Sequence, residues 1–284
     1  MPRGLPWRDH RPMRSLARRS LLPVLVLALV AGLAPAGAVA AEDTVSTGAV
    51  TAAERGVLDL TNARRTAAGR IKLRADARLF ALARERAEYM AATDTFSHTQ
   101  AGGVSVFDLM TQQGIKWYGG GEIIAWNTAA ALDYSAAFAV KAWMESPGHR
   151  AILLSSGYNY VGFGLAISPT TGKRYWAGVY LKGPDRTGAW AKIRSVSKTN
   201  LSGRYARVTI RWTGNDTRLQ VLTAGFRYYQ IQKRRDGGAW YTYGLTTATS
   251  LSRKWSRGHV YEFRVRARDK AGNWGSWRNV IIRP

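Results

Sequence analysis

The chain has 284 residues, a formal net charge of +24 and no cysteine. That length accommodates one or two domains, and the lack of cysteine excludes disulfides, thiolate metal sites and thiol nucleophiles. The charge is uneven: residues 184–284 carry 21 Lys and Arg against 5 Asp and Glu, whereas residues 41–183 carry 15 against 12. A surface for a polyanion therefore belongs to the last third.

Residues 1–40 read as a signal peptide for export. Arg3, Arg8, Arg11, Arg14, Arg18 and Arg19 form a cationic start, "LLPVLVLALVAGLA" an apolar run, and "AGAVAA" offers small residues for cleavage. The apolar run is shorter than the roughly 20 residues of a membrane-spanning helix. Cleavage is expected to leave a secreted or cell-wall-associated protein with no stable membrane span. Arg18-Arg19 suits twin-arginine export as well as an ordinary cationic start.

Residues 41–50 ("AEDTVSTGAV") are small and polar and read as a flexible start to a first module over 51–183. From Thr51 the pattern is helical up to Gly69, with Val57, Leu58 and Thr61 on one face. In "DARLFALARERAEYMAA", Leu79, Leu82, Ala83, Arg86, Ala87 and Met90 recur at helical spacing behind Asp76, a residue type suited to the N-cap. "VSVFDLMTQQG" and "DYSAAFAVKAWMES" predict two further helices, the second broken by Pro147-Gly148. "YNYVGFGLAI" and "RYWAGVYL" predict a β-hairpin joined by "SPTTGK". Helices followed by a hairpin make an α+β module, with Trp143, Tyr175 and Trp176 as core candidates.

Two histidines of this module, His98 in "DTFSHTQAGG" and His149 in "SPGHRAILL", stand at loop-to-helix transitions. Between them Glu122 follows three glycines in "YGGGEIIAW". Two imidazoles and a carboxylate suit a metal site with open positions or general acid–base chemistry. The same residues also suit two helix caps and a solvated carboxylate. Ser97 and Ser146 adjoin the histidines, but Gly-x-Ser-x-Gly and His-Glu-x-x-His are both absent.

The ordered series "LDLTNARRTAAGRIKLRADARLFALARERAEYMAATDTFSHT", "GGGEIIA", "AWMESPGHRAILLSSGYNYVGFGLA" and "YWAGVYL" resembles the bacterial branch of the CAP superfamily (cysteine-rich secretory protein, antigen 5, pathogenesis-related 1) over about residues 51–182. The resemblance implies an α-β-α sandwich around an antiparallel sheet, with a cleft lined by two histidines and acidic residues. His98 matches the first family histidine, Glu122 the glutamate of the Gly-Glu-Asn motif, and His149 the histidine of the Ser-Pro-Gly-His-Arg motif. It implies that the three converge on a divalent cation such as Zn²⁺, or on a small apolar ligand. A metal-assisted or His-dependent hydrolase of peptide, ester or phosphodiester bonds is the alternative, with the same three residues catalytic. Two departures matter. Ile123 stands where the family usually has Asn, read here as loss of a hydrogen-bonding group behind the site. The nearest candidate for a second glutamate is Glu145.

Residues 184–190 read as a linker. Over 191–284, "YARVTIRW", "FRYYQIQKRR", "AWYTYG", "VYEFRVRARD" and "NVIIRP" are short alternating strands between Gly, Asn and Asp turns, the pattern of an all-β sandwich. "VTIRW", "YYQIQ" and "YEFRVRARDKAGNWGSW" resemble an immunoglobulin-like fold of the fibronectin type III kind, with Trp212 in the core. A period of two turns Tyr261, Phe263, Val265 and Ala267 inward and leaves Arg264, Arg266 and Arg268 outside. The resemblance sets the strand of Tyr228, Gln230, Gln232 and Arg234 beside them. Arg264, Arg266, Arg268, Arg234 and Tyr228 are thus candidates for docking a cell-wall polyanion or polysaccharide, with affinity that falls as salt rises. No nucleic-acid-binding motif is visible, and nucleic acid is not the expected partner.

Overall fold

The protein is described by a computed structural model over residues 47–284, with side chains from residue 51. The signal peptide read over 1–40, and residues 41–46 of the flexible start, lie outside the described residues. Residues 47–50 belong to the first helix, α1 (Thr47–Ala67). That helix buries Ala53, Val57, Thr61 and Arg65, one residue per turn along a single face.

A two-residue strand, β1 (Arg74–Ala75), leads into α2 (Ala77–Thr93), where the Asp76 carboxylate accepts the Arg78 backbone N–H as N-cap. Next come α3 (Val106–Gln112), opened by a Ser105–Asp108 capping box, and β2 (Gly119–Asn127). Then α4 (Leu132–Glu145) gives way to α5 (Pro147–Leu153), β3 (Tyr160–Ile167) and β4 (Arg174–Lys182). Pro147 starts α5 at the position where its missing N–H costs nothing.

The strands form one sheet in the order β1-β3-β4-β2, antiparallel except for the short β1–β3 pairing. Because strand side chains alternate, β4 feeds two cores. Tyr175, Ala177, Val179 and Leu181 pack with α2 and α3, while Trp176 and Tyr180 pack with α1, α4 and α5. Trp143 lies in the second core and donates its indole N–H to the Ile124 carbonyl at 2.9 Å. The result is three layers, helix on sheet on helix.

Gly162 and Gly164 let α2 lie directly on β3. A Cβ at Gly164 would stand 2.2 Å from the Ala83 carbonyl carbon, and one at Gly162 would stand 2.1 Å from that of Leu79.

The remaining strands are β5 (Trp190–Asn200), β6 (Tyr205–Asn215), β7 (Phe226–Arg235), β8 (Tyr241–Thr246), β9 (Ser250–Ser256), β10 (Tyr261–Asp269) and β11 (Arg278–Ile282). They make two antiparallel sheets, β5-β6-β9 and β11-β10-β7-β8. Both sheets contribute to one buried core, including Trp212, Tyr229, Trp255, Phe263 and Val265.

The connection between the two regions is packed. Arg186 pairs with the Asp76 carboxylate and stacks on Tyr160. From the loop between β6 and β7, Leu219 enters the α2/α3 core, and the Gln220 side-chain oxygen accepts the Ile71 N–H at 2.8 Å. Asp185, Asp216 and Asp269 are buried at this junction and accept backbone N–H bonds from Ala224, Gly225 and Asn273. Among the described residues no helix is long and apolar enough to cross a membrane.

Candidate functional site

The candidate site lies at β2, the edge strand of the sheet. Glu122 leaves β2 on its α2 side and is almost fully buried. A buried carboxylate is costly unless its oxygens are paired, and both are. The Arg86 Nε on α2 donates to Glu122 Oε1 at 2.8 Å, and the His98 Nδ1 lies 2.7 Å from Glu122 Oε2. Arg86 Nη2 also donates to the Ser97 carbonyl at 2.8 Å, which ties down the loop that carries His98. The remaining Nη1 of Arg86 is buried with no hydrogen-bond partner among the described residues.

His98 is exposed, and its ring centroid lies 6.4 Å from that of His149 on α5, with the planes tilted by 44°. His149 is half-buried. Burial pushes its pKa below the ordinary histidine value, and the neighbouring His98 lowers it further. An ionised Glu122 favours the His98 tautomer with the proton on Nδ1, which leaves Nε2 as a free lone pair.

His98, Glu122 and His149 are thus neighbours, but they do not form three equivalent ligands. Glu122, expected as a metal ligand, has Oε1 paired with Arg86 and Oε2 with His98. His98 Nε2 and a His149 nitrogen are the donors that could hold a divalent cation here.

Two sequence readings change. Ile123 is fully buried on the opposite face of β2, among Trp143, Phe163 and Tyr180. Adjacent strand residues point to opposite faces, so a polar residue at 123 would not back Glu122, and Ile123 removes nothing from the site. Glu145 is exposed and pairs with Lys141 one helical turn away at 3.7 Å, outside the cleft. Ser97 Oγ is engaged with Thr99, and Ser146 joins α4 to α5, so neither is set as a nucleophile.

Arg86 is the residue that sequence reading missed. It looked like one more position on the inner face of α2. Its signal was an arginine at a buried helical position, which demands a buried anion.

The charged face of the second region is a stacked ladder. On β10 the outward Arg264, Arg266 and Arg268 stand opposite Gln232, Gln230 and Tyr228 of β7, and Glu262 stands opposite Arg234. Three tryptophans from the adjoining loops slot between the guanidinium groups. Trp240 covers Arg234 and Arg264 at 4.8 and 3.8 Å, Trp277 covers Arg264 and Arg266 at 4.3 and 4.4 Å, and Trp274 covers Arg266 and Arg268 at 4.1 and 5.2 Å. Each stacked contact contributes about 0.5–1 kcal/mol at exposed sites. The row expected to dock a polyanion therefore has its flat faces occupied by indole rings.

The first region is thus an α-β-α layered domain with His98, Glu122 and His149 gathered at the sheet edge. Residues 58–180 match the sequence model of the cysteine-rich secretory protein family, CAP. Two uncharacterised proteins of Bacillus subtilis (strain 168) are related. YkwD is 34% identical over 139 residues, covering 49% of this chain and 52% of its own length. The membrane protein YlbC is 35% identical over 115 residues, covering 40% and 32%. The chain thus spans about half of the one relative and a third of the other. Among solved structures, an extracellular protein containing a SCP domain from Bacillus anthracis is 21% identical with a TM-score of 0.41, covering 50% of this chain and 45% of that one. An outer surface protein of Borrelia burgdorferi is 17% identical with a TM-score of 0.43, covering 47% and 95%.

Proposed function

We propose that the chain is an exported protein of the cell envelope whose CAP cleft holds a divalent cation such as Zn²⁺. In this reading a β-sandwich of the fibronectin type III kind attaches the protein to anionic wall polymer. The observation that carries the cleft reading is the Arg86–Glu122–His98 chain facing His149. It leaves one imidazole lone pair oriented and the other imidazole neutral near pH 7, the state in which histidine ligates metal. Export rests on the leader pattern of residues 1–40. The two-sheet strand order and the single shared core support the fibronectin type III reading. A second place for a small apolar ligand is a groove between α1 and α2, where Leu58, Phe80 and Ala81 are joined by Arg55, Asp59 and Arg84.

Calorimetric titration of the protein with Zn²⁺ is expected to give one-to-one uptake, abolished in the His98→Ala, His149→Ala double variant. Uptake unchanged in that variant would sink the metal reading. The hydrolase reading uses the same neutral His149 as a general base. Turnover of peptide, ester or phosphodiester substrates that disappears in His149→Ala would favour it over a purely binding role.

The depressed pKa of His149 also sets a pH dependence. A histidine kept neutral by folding contributes stability that is fully present above its unfolded pKa of about 6.5. That contribution is lost as pH falls through the lower folded value. Below pH 6.5 the Tm of the metal-free protein should therefore drop more steeply with acidification than that of His149→Gln. Parallel Tm profiles would mean that folding does not disfavour the imidazolium.

A further inference from the structure

The alternation of arginine and tryptophan along β10 narrows the kind of polymer that fits this face. Tryptophan rings fill the flat sides of Arg264 and Arg266, and Gln232 and Gln230 accept from their inner edges. Both Nη groups of Arg264, Nη1 of Arg266 and Nη2 of Arg268 make no hydrogen bond among the described residues. The unspent donors are therefore guanidinium edges, fixed in orientation and repeated at every second residue of one strand. The backbone repeat beneath them is about 7 Å, and the indole rings slotted between neighbours set the spacing of the guanidinium groups themselves. We propose that the ladder docks a base-free phosphodiester polymer, a polyol-phosphate chain laid along β10, with successive phosphates on successive guanidinium edges. The inference rests on the reading that this region attaches the protein to an anionic envelope polymer, and it names the chemistry of that polymer.

Three considerations select this occupant. Glycerol phosphate repeats every six backbone bonds, as two amino-acid residues do, so its extended stride is also about 7 Å. Phosphate accepts from the guanidinium fork, and stacking by Trp277 and Trp274 has already removed much of the side-chain entropy that such a contact costs. A nucleic acid would also bring phosphates, but its bases need aromatic faces to stack on. Here those faces are covered by arginine. Crowding adds a further pull: burial, and next the neighbouring Arg264 and Arg268, lower the pKa of Arg266. A bound anion would relieve that repulsion.

The test is retention of the full chain on immobilised poly(glycerol phosphate), polygalacturonate and single-stranded DNA at about 0.15 M salt, the physiological screening regime. Poly(glycerol phosphate) should bind at least tenfold more tightly than either of the others. R264Q/R266Q should lose most of that binding, and R264K/R266K should lose it in part, because lysine keeps the charge but not the fork. Circular dichroism checks that each variant is folded. Equal binding of poly(glycerol phosphate) and polygalacturonate, or full retention by R264K/R266K, overturns the phosphodiester assignment and leaves polyanion attachment standing. Preferential binding of DNA overturns it as well. Binding to none of the three overturns the attachment reading itself.

Discussion

Gly164→Ala is expected to destabilise the first region by about 3 kcal/mol or more, a large fraction of a domain's stability. Overpacking a core usually costs about 1–3 kcal/mol because side chains can shift to absorb it. At Gly164 the new Cβ would meet backbone, the carbonyl carbon of Ala83 at 2.2 Å and the nitrogen of Arg84 at 2.2 Å. No rotamer relieves that contact, so α2 would have to lift off β3. The lift would also withdraw Arg86 from Glu122, and loss of the cleft should accompany loss of stability. Gly56→Ala supplies the opposite case. Gly56 lies inside α1 with nothing within 4 Å of its would-be Cβ. Alanine there should stabilise the helix by about 0.5–1 kcal/mol. Thermal unfolding of both variants measures the contrast, and equal Tm values would mean that the tight α2–β3 approach does not matter.

How far the sequence reveals this molecule depends on where its signals are local. The long helices and the β3–β4 hairpin are legible because apolar residues recur at one clear period. β5 and β9 are not. In "WAKIRSVSKTN" and "SLSRKWS" only Ala191, Leu251 and Trp255 are fully buried, so the period of two is masked by charged and hydroxyl residues on open faces. β2 hides in the same way behind three glycines, although its later residues are almost all buried.

At the site, the motif residues His98, Glu122 and His149 were visible, but the division of labour among them was not. That division depends on Arg86, which lies 36 residues from Glu122 in sequence and reaches it through helix–sheet packing. The face of Ile123 was legible in principle, since alternation from Glu122 fixes it once the strand is recognised. The arginine row followed from a period of two. Trp240, Trp274 and Trp277, which convert the row into a ladder, come from loops whose course no periodicity describes.

Arg86 therefore offers the sharpest test of the cleft. Arg86→Met keeps most of the side-chain volume and removes the charge, leaving Glu122 buried with His98 as its one remaining partner. Breaking a buried ion pair from one side costs about 3–5 kcal/mol, because the abandoned charge keeps its desolvation penalty. The double variant Arg86→Met, Glu122→Gln removes both charges, and an amide oxygen at 122 can still accept the His98 Nδ1 proton. It should recover most of the lost stability in denaturant unfolding. Metal affinity is expected to separate from stability. The single variant should lose about 10–100-fold in Zn²⁺ affinity, the usual cost of disturbing a group behind a ligand. The double variant should regain part of that affinity, because neutral glutamine holds the tautomer but contributes less to the basicity of the imidazole. Equal stability of the single and double variants would show that Glu122 carries no burial penalty once Arg86 is gone, and that the ion pair is not what holds this part of the cleft together.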